Sequence, residues 1–215
     1  MYGVKPPGVL VRSKAFLIID KPAGLPVHAG RAGGPSVEDF WPLWRQGRVG
    51  PWLAHRLDQD TAGCLLVALK KSFLLQAQAA FAAGEVEKTY WAVLRGVPGA
   101  RQGVVDAALA KQSYGKAWKM VPDAAGQAAI TQWRVLGDDG ARALVEFRPQ
   151  TGRTHQIRAH AAYLRHPVLG DAIYGGGPGA LHLLARGLSL PGLAAAEAPV
   201  PVHMRAAVEA CAGTL

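Results

Sequence analysis

The chain has 215 residues, half of them hydrophobic, so it can bury a core as one domain or as two closely packed halves without disulfides or metals. Lys and Arg number 24 against 15 Asp and Glu, and the net charge of +9 favours a polyanionic partner such as nucleic acid. The composition excludes a disordered or fibrous chain. No apolar run is long enough to cross a bilayer and the start lacks a leader pattern, so we expect a cytoplasmic protein.

The two cysteines are predicted to be buried, free thiols. Cys64 and Cys211 each lie in an apolar run, and they are far apart in the sequence. Such thiols are typical of a reducing compartment, and no disulfide framework is implied.

The first part of the chain predicts short elements joined by turns. Residues 1–12 are basic and rich in Pro and Gly, which predicts a flexible arm. The apolar run at 16–19 predicts a buried strand, and Ser36 with Asp39 has the pattern of a capping box that opens a short helix. Two further elements follow, a buried strand at 65–69 and a helix at 72–83 that ends at Gly84.

The second part predicts more strands than helices. The strands are expected at 89–94, 117–121, 130–135, 143–147 and 181–184. A Gly-Asp-Asp-Gly turn at 137–140 predicts a hairpin, and helices are expected at 153–165 and 205–212. Because these elements show no regular βαβ rhythm, we predict an α+β fold built on a largely antiparallel mixed sheet with flanking helices.

The most informative segment is His55-Arg56-Leu57-Asp58, which runs through a polar loop into the apolar residues of the predicted strand at 65–69. A carboxylate at such an edge can be both desolvated and accessible, as catalysis requires. The alternative is that Asp58 only pairs with Arg56 or caps a turn.

At this segment the sequence resembles the RluA family of RNA pseudouridine synthases, whose signature is His-Arg-Leu-Asp, two variable residues, Thr-Ser-Gly and an apolar strand. One position departs from it, because Ala62 stands where the family usually has Ser. The resemblance continues in the expected order, through 20–28, 88–93, 148–160, 166–175 and 181–185. It implies a pseudouridine synthase fold, with a catalytic domain over residues 13–215.

The resemblance implies three catalytic residues. Asp58 is expected to act on the sugar as a nucleophile or as a base. Arg153 is expected to pair with that carboxylate and keep it ionised. Tyr90 is expected to stack on uracil and to assist removal of the carbon-bound proton, although a tyrosine in a strand is more often a core residue.

Further residues are expected to bind RNA or to hold the detached base. Arg56 matches the family arginine that takes the place of the flipped base. The remaining candidates for phosphate contact or support, each of which can also be a plain solvated charge, are His55, Lys21, Lys88, His155 and Arg158. Leu183 and Leu184 are candidates for a wall of the base pocket, with plain core as the alternative.

Other functions are less well supported by the residues. The histidines lack metal-ligand spacing, so we expect no metal and no cofactor. The glycines at 175–179 do not follow a strand, which disfavours a dinucleotide site. A glycoside hydrolase would need Asp60 as its second carboxylate. The main alternative is a non-catalytic RNA-binding protein. The presence of Asp58, Tyr90 and Arg153 argues against it.

The substrate is expected to be a stem-loop of 23S ribosomal RNA, transfer RNA or both, and the protein is expected to act as a monomer. Family members often carry a small RNA-binding domain before the catalytic one. Because the first motif begins near residue 13, we expect that domain to be absent and the basic catalytic domain to select the RNA.

Overall fold

The computed structural model describes residues 5–30, 33–115 and 117–212. The strands are β1 (Gly8–Arg12), β2 (Phe16–Lys21), β3 (Trp52–Leu53), β4 (Ala62–Ala68), β5 (Glu87–Arg95), β6 (Gln102–Asp106), β7 (Leu109–Tyr114), β8 (Ala117–Pro122), β9 (Ile130–Asp138), β10 (Arg142–Pro149), β11 (Leu183–Leu190) and β12 (Ala194–Glu197). The helices are α1 (Trp41–Trp44), α2 (Lys71–Ala82), α3 (Gln156–Tyr163) and α4 (Val202–Ala212), and a short 3-10 helix spans Val37–Phe40.

The chain divides into two compact units. The first comprises Met1–Lys88 and Ala185–Pro199, and the second comprises Thr89–Leu184 and Val200–Leu215. The strand pairings within each unit are antiparallel, which confirms the predicted α+β class.

In the first unit β2 lies between β1 and β4, and the register pairs Asp20 with Cys64 and Lys21 with Gly63. All seven residues of β4 are buried, because the strand is apolar on both faces. The pairing places the turn after β2 beside the loop before β4, at the same end of the two strands.

The predicted arm is wrong for residues 8–12, because they form β1. Main-chain hydrogen bonding to β2 orders these residues despite their Gly and Pro content, with a register irregularity between Val9 and Val11. Residues 1–4 lie outside the described residues.

The predicted short helix after Ser36 is present as the 3-10 helix and α1. The Asp39 carboxylate accepts the Ser36 main-chain N–H at 2.7 Å, as expected for a capping box. The helix α2 ends before Gly84, which takes a φ of 73° that other residues rarely adopt.

In the second unit β10 pairs with both β5 and β9, and β6 pairs with the far side of β9. A hydrophobic cluster forms beside this sheet, where α3 contributes Ile157 and Ala161 next to Phe147 of β10. The strands β7 and β8 form a separate two-stranded hairpin.

Several element boundaries differ from the predictions. The helix predicted from residue 153 begins at Gln156, because His155 has a left-handed φ of 54°. The strand predicted at 181–184 begins at Leu183 and continues to Leu190. The strands β3, β6, β7 and β12 were not predicted, since they are short or lack a strong apolar alternation.

Both cysteines are free and buried, as predicted. Burial raises the pKa of the Cys64 thiol to about 12. This thiol is therefore unreactive at neutral pH.

Candidate catalytic site

Asp58 lies in the loop before β4 and is half-buried. Its carbonyl oxygen accepts the N–H of Thr61 at 3.2 Å, and the Gln59 carbonyl oxygen accepts the N–H of Gly24 at 3.0 Å. These bonds fix the loop against the turn that follows β2. Asp58 is thus held by the main chain while its side chain remains partly accessible.

Lys21 supports this loop from inside the protein. Its side chain is fully buried, and its ammonium donates to the carbonyl oxygens of Leu25 and Gln59, both at 2.8 Å, and of Pro22 at 2.9 Å. A direct phosphate contact by Lys21 does not fit this geometry, because the buried ammonium already donates to three protein acceptors. The alternative role of support fits the geometry.

Burial lowers the pKa of Lys21 to about 8, and the nearby carboxylates of Asp60, Asp58 and Asp20 oppose that effect. At neutral pH the lysine is therefore mostly charged. It places a positive charge inside the protein close to the Asp58 loop.

His55 is a neutral packing residue in this structure. Its Nε2 accepts the N–H of Leu66 at 2.9 Å, and its ring packs on Phe81 with 4.7 Å between centroids. Burial, with a further contribution from the charge of Lys88, lowers the pKa of His55 to about 3. A neutral ring used in this way stabilises the start of the Asp58 loop and offers no charge to a phosphate.

Arg56 is exposed and lines a pocket of about 430 Å³ in the first unit, together with Trp52 and Gln78. Its position leaves it accessible to a ligand. Lys88 is half-buried, and burial lowers its pKa.

Tyr90 lies on β5 opposite Phe147 of β10. Its ring is half-buried against the core of the second unit, a cluster that also contains Leu183. Leu183 is 3% exposed and Leu184 is fully buried, so both are core residues in this structure. A role in the hydrophobic core therefore fits these two leucines better than a role as a wall of the base pocket.

Arg153 is exposed and precedes α3. Its Nε donates to the Ala128 carbonyl oxygen at 3.0 Å, and its main-chain N–H donates to Gln156 Oε1 at 2.9 Å. The buried Gln156 side chain also donates to Ile130 O at 3.0 Å and Thr131 Oγ1 at 2.9 Å. Gln156 therefore fixes the main chain that carries Arg153.

Arg158 forms a buried ion pair. Its Nε and a terminal nitrogen donate to the two oxygens of Asp171 at 2.7 and 2.8 Å, and the Asp171 side chain is fully buried. The same carboxylate accepts the N–H groups of Ile173 and Tyr174. A direct RNA contact by Arg158 does not fit this geometry, because its guanidinium is committed to a structural pair.

His155 lies between two aromatic side chains. Its ring stacks on Trp118 at 4.9 Å with an interplanar angle of 16°, and its Nδ1 is 3.2 Å from the Tyr174 hydroxyl. The Arg158 guanidinium lies 5.3 Å from the centre of the Tyr174 ring. The second unit thus joins His155 to Arg158 through Tyr174, at the start of α3.

The sequence did not single out three residues that hold the site residues in place: Gln156, Asp171 and Trp118. Gln156 and Asp171 lie within segments that carry the family resemblance, which is the signal that could have found them. No sequence signal distinguishes Trp118, because its partner His155 is distant in the chain.

Within the described residues, no group of three His, Cys, Asp or Glu side chains could hold a metal ion. In that same part of the chain, none of the helices has the length and apolar character needed to span a membrane.

Comparison with known proteins shows the family. The family described as RNA pseudouridylate synthase matches residues 15–163. An uncharacterized RNA pseudouridine synthase of Zymomonas mobilis is 45% identical over 170 residues, covering 78% of each chain. The ribosomal large subunit pseudouridine synthase C of Vibrio cholerae is 39% identical over 161 residues, which are 74% of this chain and 50% of that protein.

The fold agrees with this result. The structure of human RNA pseudouridylate synthase domain containing 4 superposes with a TM-score of 0.81 at 30% identity, covering 94% of this chain and 92% of that one. The chain belongs to the RNA pseudouridine synthases, which are isomerases. Within them it is a member of the RluA family, and it spans about half the length of several curated relatives.

Proposed function

We propose that this protein isomerises specific uridines to pseudouridine in structured RNA, namely 23S ribosomal RNA, transfer RNA or both. The observation that carries the proposal is the placement of Asp58, a partly accessible carboxylate in a loop fixed by the buried ammonium of Lys21. The similarity to the ribosomal large subunit pseudouridine synthase C of Vibrio cholerae supports ribosomal RNA as the substrate.

The reaction breaks the bond between the ribose and N1 of uracil, turns the base, and forms a bond from the ribose to C5. The C5 proton is lost and N1 gains a proton, so atoms balance without water, a redox partner or a cofactor. The protein needs one carboxylate at the sugar and a surface that holds the detached base. Asp58 supplies the carboxylate, either as a nucleophile or as a base.

Tyr90 and Arg153 complete the proposed catalytic set. The half-buried Tyr90 ring has a fixed backing of core residues, so it can present a flat face and a hydroxyl to uracil. Arg153 is exposed on a segment held by Gln156, so its charge is available to an anionic partner. Arg56, exposed at its pocket, is the proposed replacement for the flipped base.

We also propose that the protein acts as a cytoplasmic monomer. The two free, buried thiols support a reducing compartment. The charge excess of +9 supports RNA as the partner, since phosphate contacts dominate RNA affinity.

The deciding experiment is Asp58→Asn, which keeps the size of the side chain and removes its charge. Tritium release from RNA labelled at C5 of uridine should be undetectable, while RNA affinity and thermal unfolding change little. Asp60→Asn is the matched control, because it neutralises an exposed carboxylate two residues away. That control should retain turnover.

A folded Asp58→Asn protein with substantial tritium release would refute the proposed role of Asp58. If the wild-type protein binds RNA but releases no tritium from ribosomal or transfer RNA, the non-catalytic RNA-binding alternative is favoured instead.

A further inference from the structure

The hairpin β7–β8 presents aromatic rings to solvent. Tyr114 is 52% exposed and Trp118 is 36% exposed, which is unusual for large rings in a protein whose other aromatic side chains mostly pack inward. Tyr114 also donates from its hydroxyl to Gln112, so its ring is oriented on the hairpin surface.

Each of these rings lies beside a lysine of the same hairpin. Lys111 Nζ is 4.7 Å from the centre of the Trp118 ring, and Lys119 Nζ is 5.5 Å from the centre of the Tyr114 ring. In the amino-acid sequence, residues 109–122 contain three lysines and no Asp or Glu. The hairpin therefore combines positive charge with stacking surfaces, the combination that binds single-stranded nucleic acid.

The hairpin is held to the segment that begins α3. Trp118 stacks on His155, and the Met120 main-chain N–H donates to the Tyr174 hydroxyl at 2.9 Å. His155 immediately precedes α3 and lies two residues after Arg153. The Trp118 ring is therefore oriented before any ligand arrives, which lowers the entropic cost of stacking a base on it.

We propose that the hairpin β7–β8 is an RNA-binding element that takes an unpaired stretch of the substrate RNA. A base stacks on Trp118 in place of the Lys111 side chain, and the flexible Lys111 ammonium moves to a neighbouring phosphate. Tyr114 and Lys119 offer a second pair of the same kind for the adjoining nucleotide. This inference rests on RNA being the substrate, and it adds a preference for unpaired RNA over a duplex.

The test measures binding of a fluorescein-labelled RNA hairpin with an unpaired loop, and of a continuous RNA duplex of the same length. For Trp118→Ala and for Lys111→Ala we expect the Kd for the looped RNA to rise about 5-fold or more. The Kd for the duplex should change by less than about 2-fold. Trp118→Phe keeps an aromatic face and should bind looped RNA nearly as the wild type does.

Tyr163→Ala is the matched control, since Tyr163 is 56% exposed on α3 and lies outside the hairpin. It should leave both affinities unchanged. Circular dichroism checks the fold, and Lys111→Ala keeps the test valid if Trp118→Ala does not fold.

Equal affinity of Trp118→Ala and wild-type protein for the looped RNA would overturn the proposal. An equal loss for looped RNA and duplex would also overturn it, because that result indicates a phosphate contact without stacking. Tritium release by the wild type reports the proposed function separately, so failure of the enzyme assay and failure of the hairpin proposal are distinguishable.

Discussion

The buried ammonium of Lys21 donates a hydrogen bond to the main-chain carbonyl oxygen of Gln59, with 2.8 Å between the two atoms. The bond joins the end of β2 to the loop that carries Asp58, across 38 positions of sequence. The position of the proposed catalytic carboxylate therefore depends on a lysine that does not touch solvent.

Lys21→Met should lower the free energy of unfolding by about 2–4 kcal/mol, because three carbonyl oxygens lose their donor. Urea unfolding measures the change. Lys14→Met, at an exposed lysine, should change it by less than about 0.5 kcal/mol. Equal effects of the two substitutions would show that the buried hydrogen bonds contribute little.

His55 predicts a specific pH dependence of stability. Burial lowers its pKa from 6.5 to about 3, so between these values the unfolded chain takes up a proton that the folded protein does not. The free energy of unfolding should therefore fall as the pH falls below 6.5, by about 1.4 kcal/mol per pH unit from this group. His55→Gln keeps a hydrogen-bond acceptor. Its melting temperature should fall less steeply than that of the wild type between about pH 7 and pH 5. Identical slopes would contradict the prediction.

The ion pair between Arg158 and Asp171 should contribute to stability only as a pair. Asp171→Asn removes the carboxylate charge that faces the buried Arg158 guanidinium and should lower the free energy of unfolding by about 3–5 kcal/mol. Replacing both residues, Arg158→Met with Asp171→Leu, should cost less than the sum of the single changes. Additive losses in a double-mutant cycle would show that the two charges are not coupled.

Gln156 is a positioning residue for Arg153. Gln156→Leu removes the acceptor of the Arg153 main-chain N–H, so kcat should fall about 10-fold or more while the Kd for RNA changes little. Single-turnover rates normalised to the folded fraction separate this effect from a loss of stability. An unchanged rate in the folded fraction would reduce Gln156 to a packing role.

Tyr90→Phe should retain ring packing against the core and lose the hydroxyl. If that hydroxyl assists late proton removal, the variant should bind RNA and stall after the sugar–base bond is broken. Tritium release from C5-labelled RNA, measured beside RNA binding, tests this. Full activity would leave Tyr90 with a stacking or packing role alone.

The family, the fold class and the elements with strong local patterns could be predicted from the amino-acid sequence alone. The strands β2 and β4 and the helix α2 were predictable because apolar runs and a Gly84 stop are local signals. The Asp58 loop was likewise predictable, since the whole motif lies within one short segment.

The contacts of the long charged side chains could not be predicted from the sequence. From the sequence, Lys21 and Arg158 were candidates for phosphate contact or for support. In the structure Lys21 donates to the Gln59 carbonyl oxygen and Arg158 pairs with Asp171. A lysine or arginine is buried only where distant residues satisfy its donors, and local sequence does not specify those partners. The stacking of Trp118 on His155 could not be predicted either, because the two rings lie far apart in the chain and only the fold brings them together.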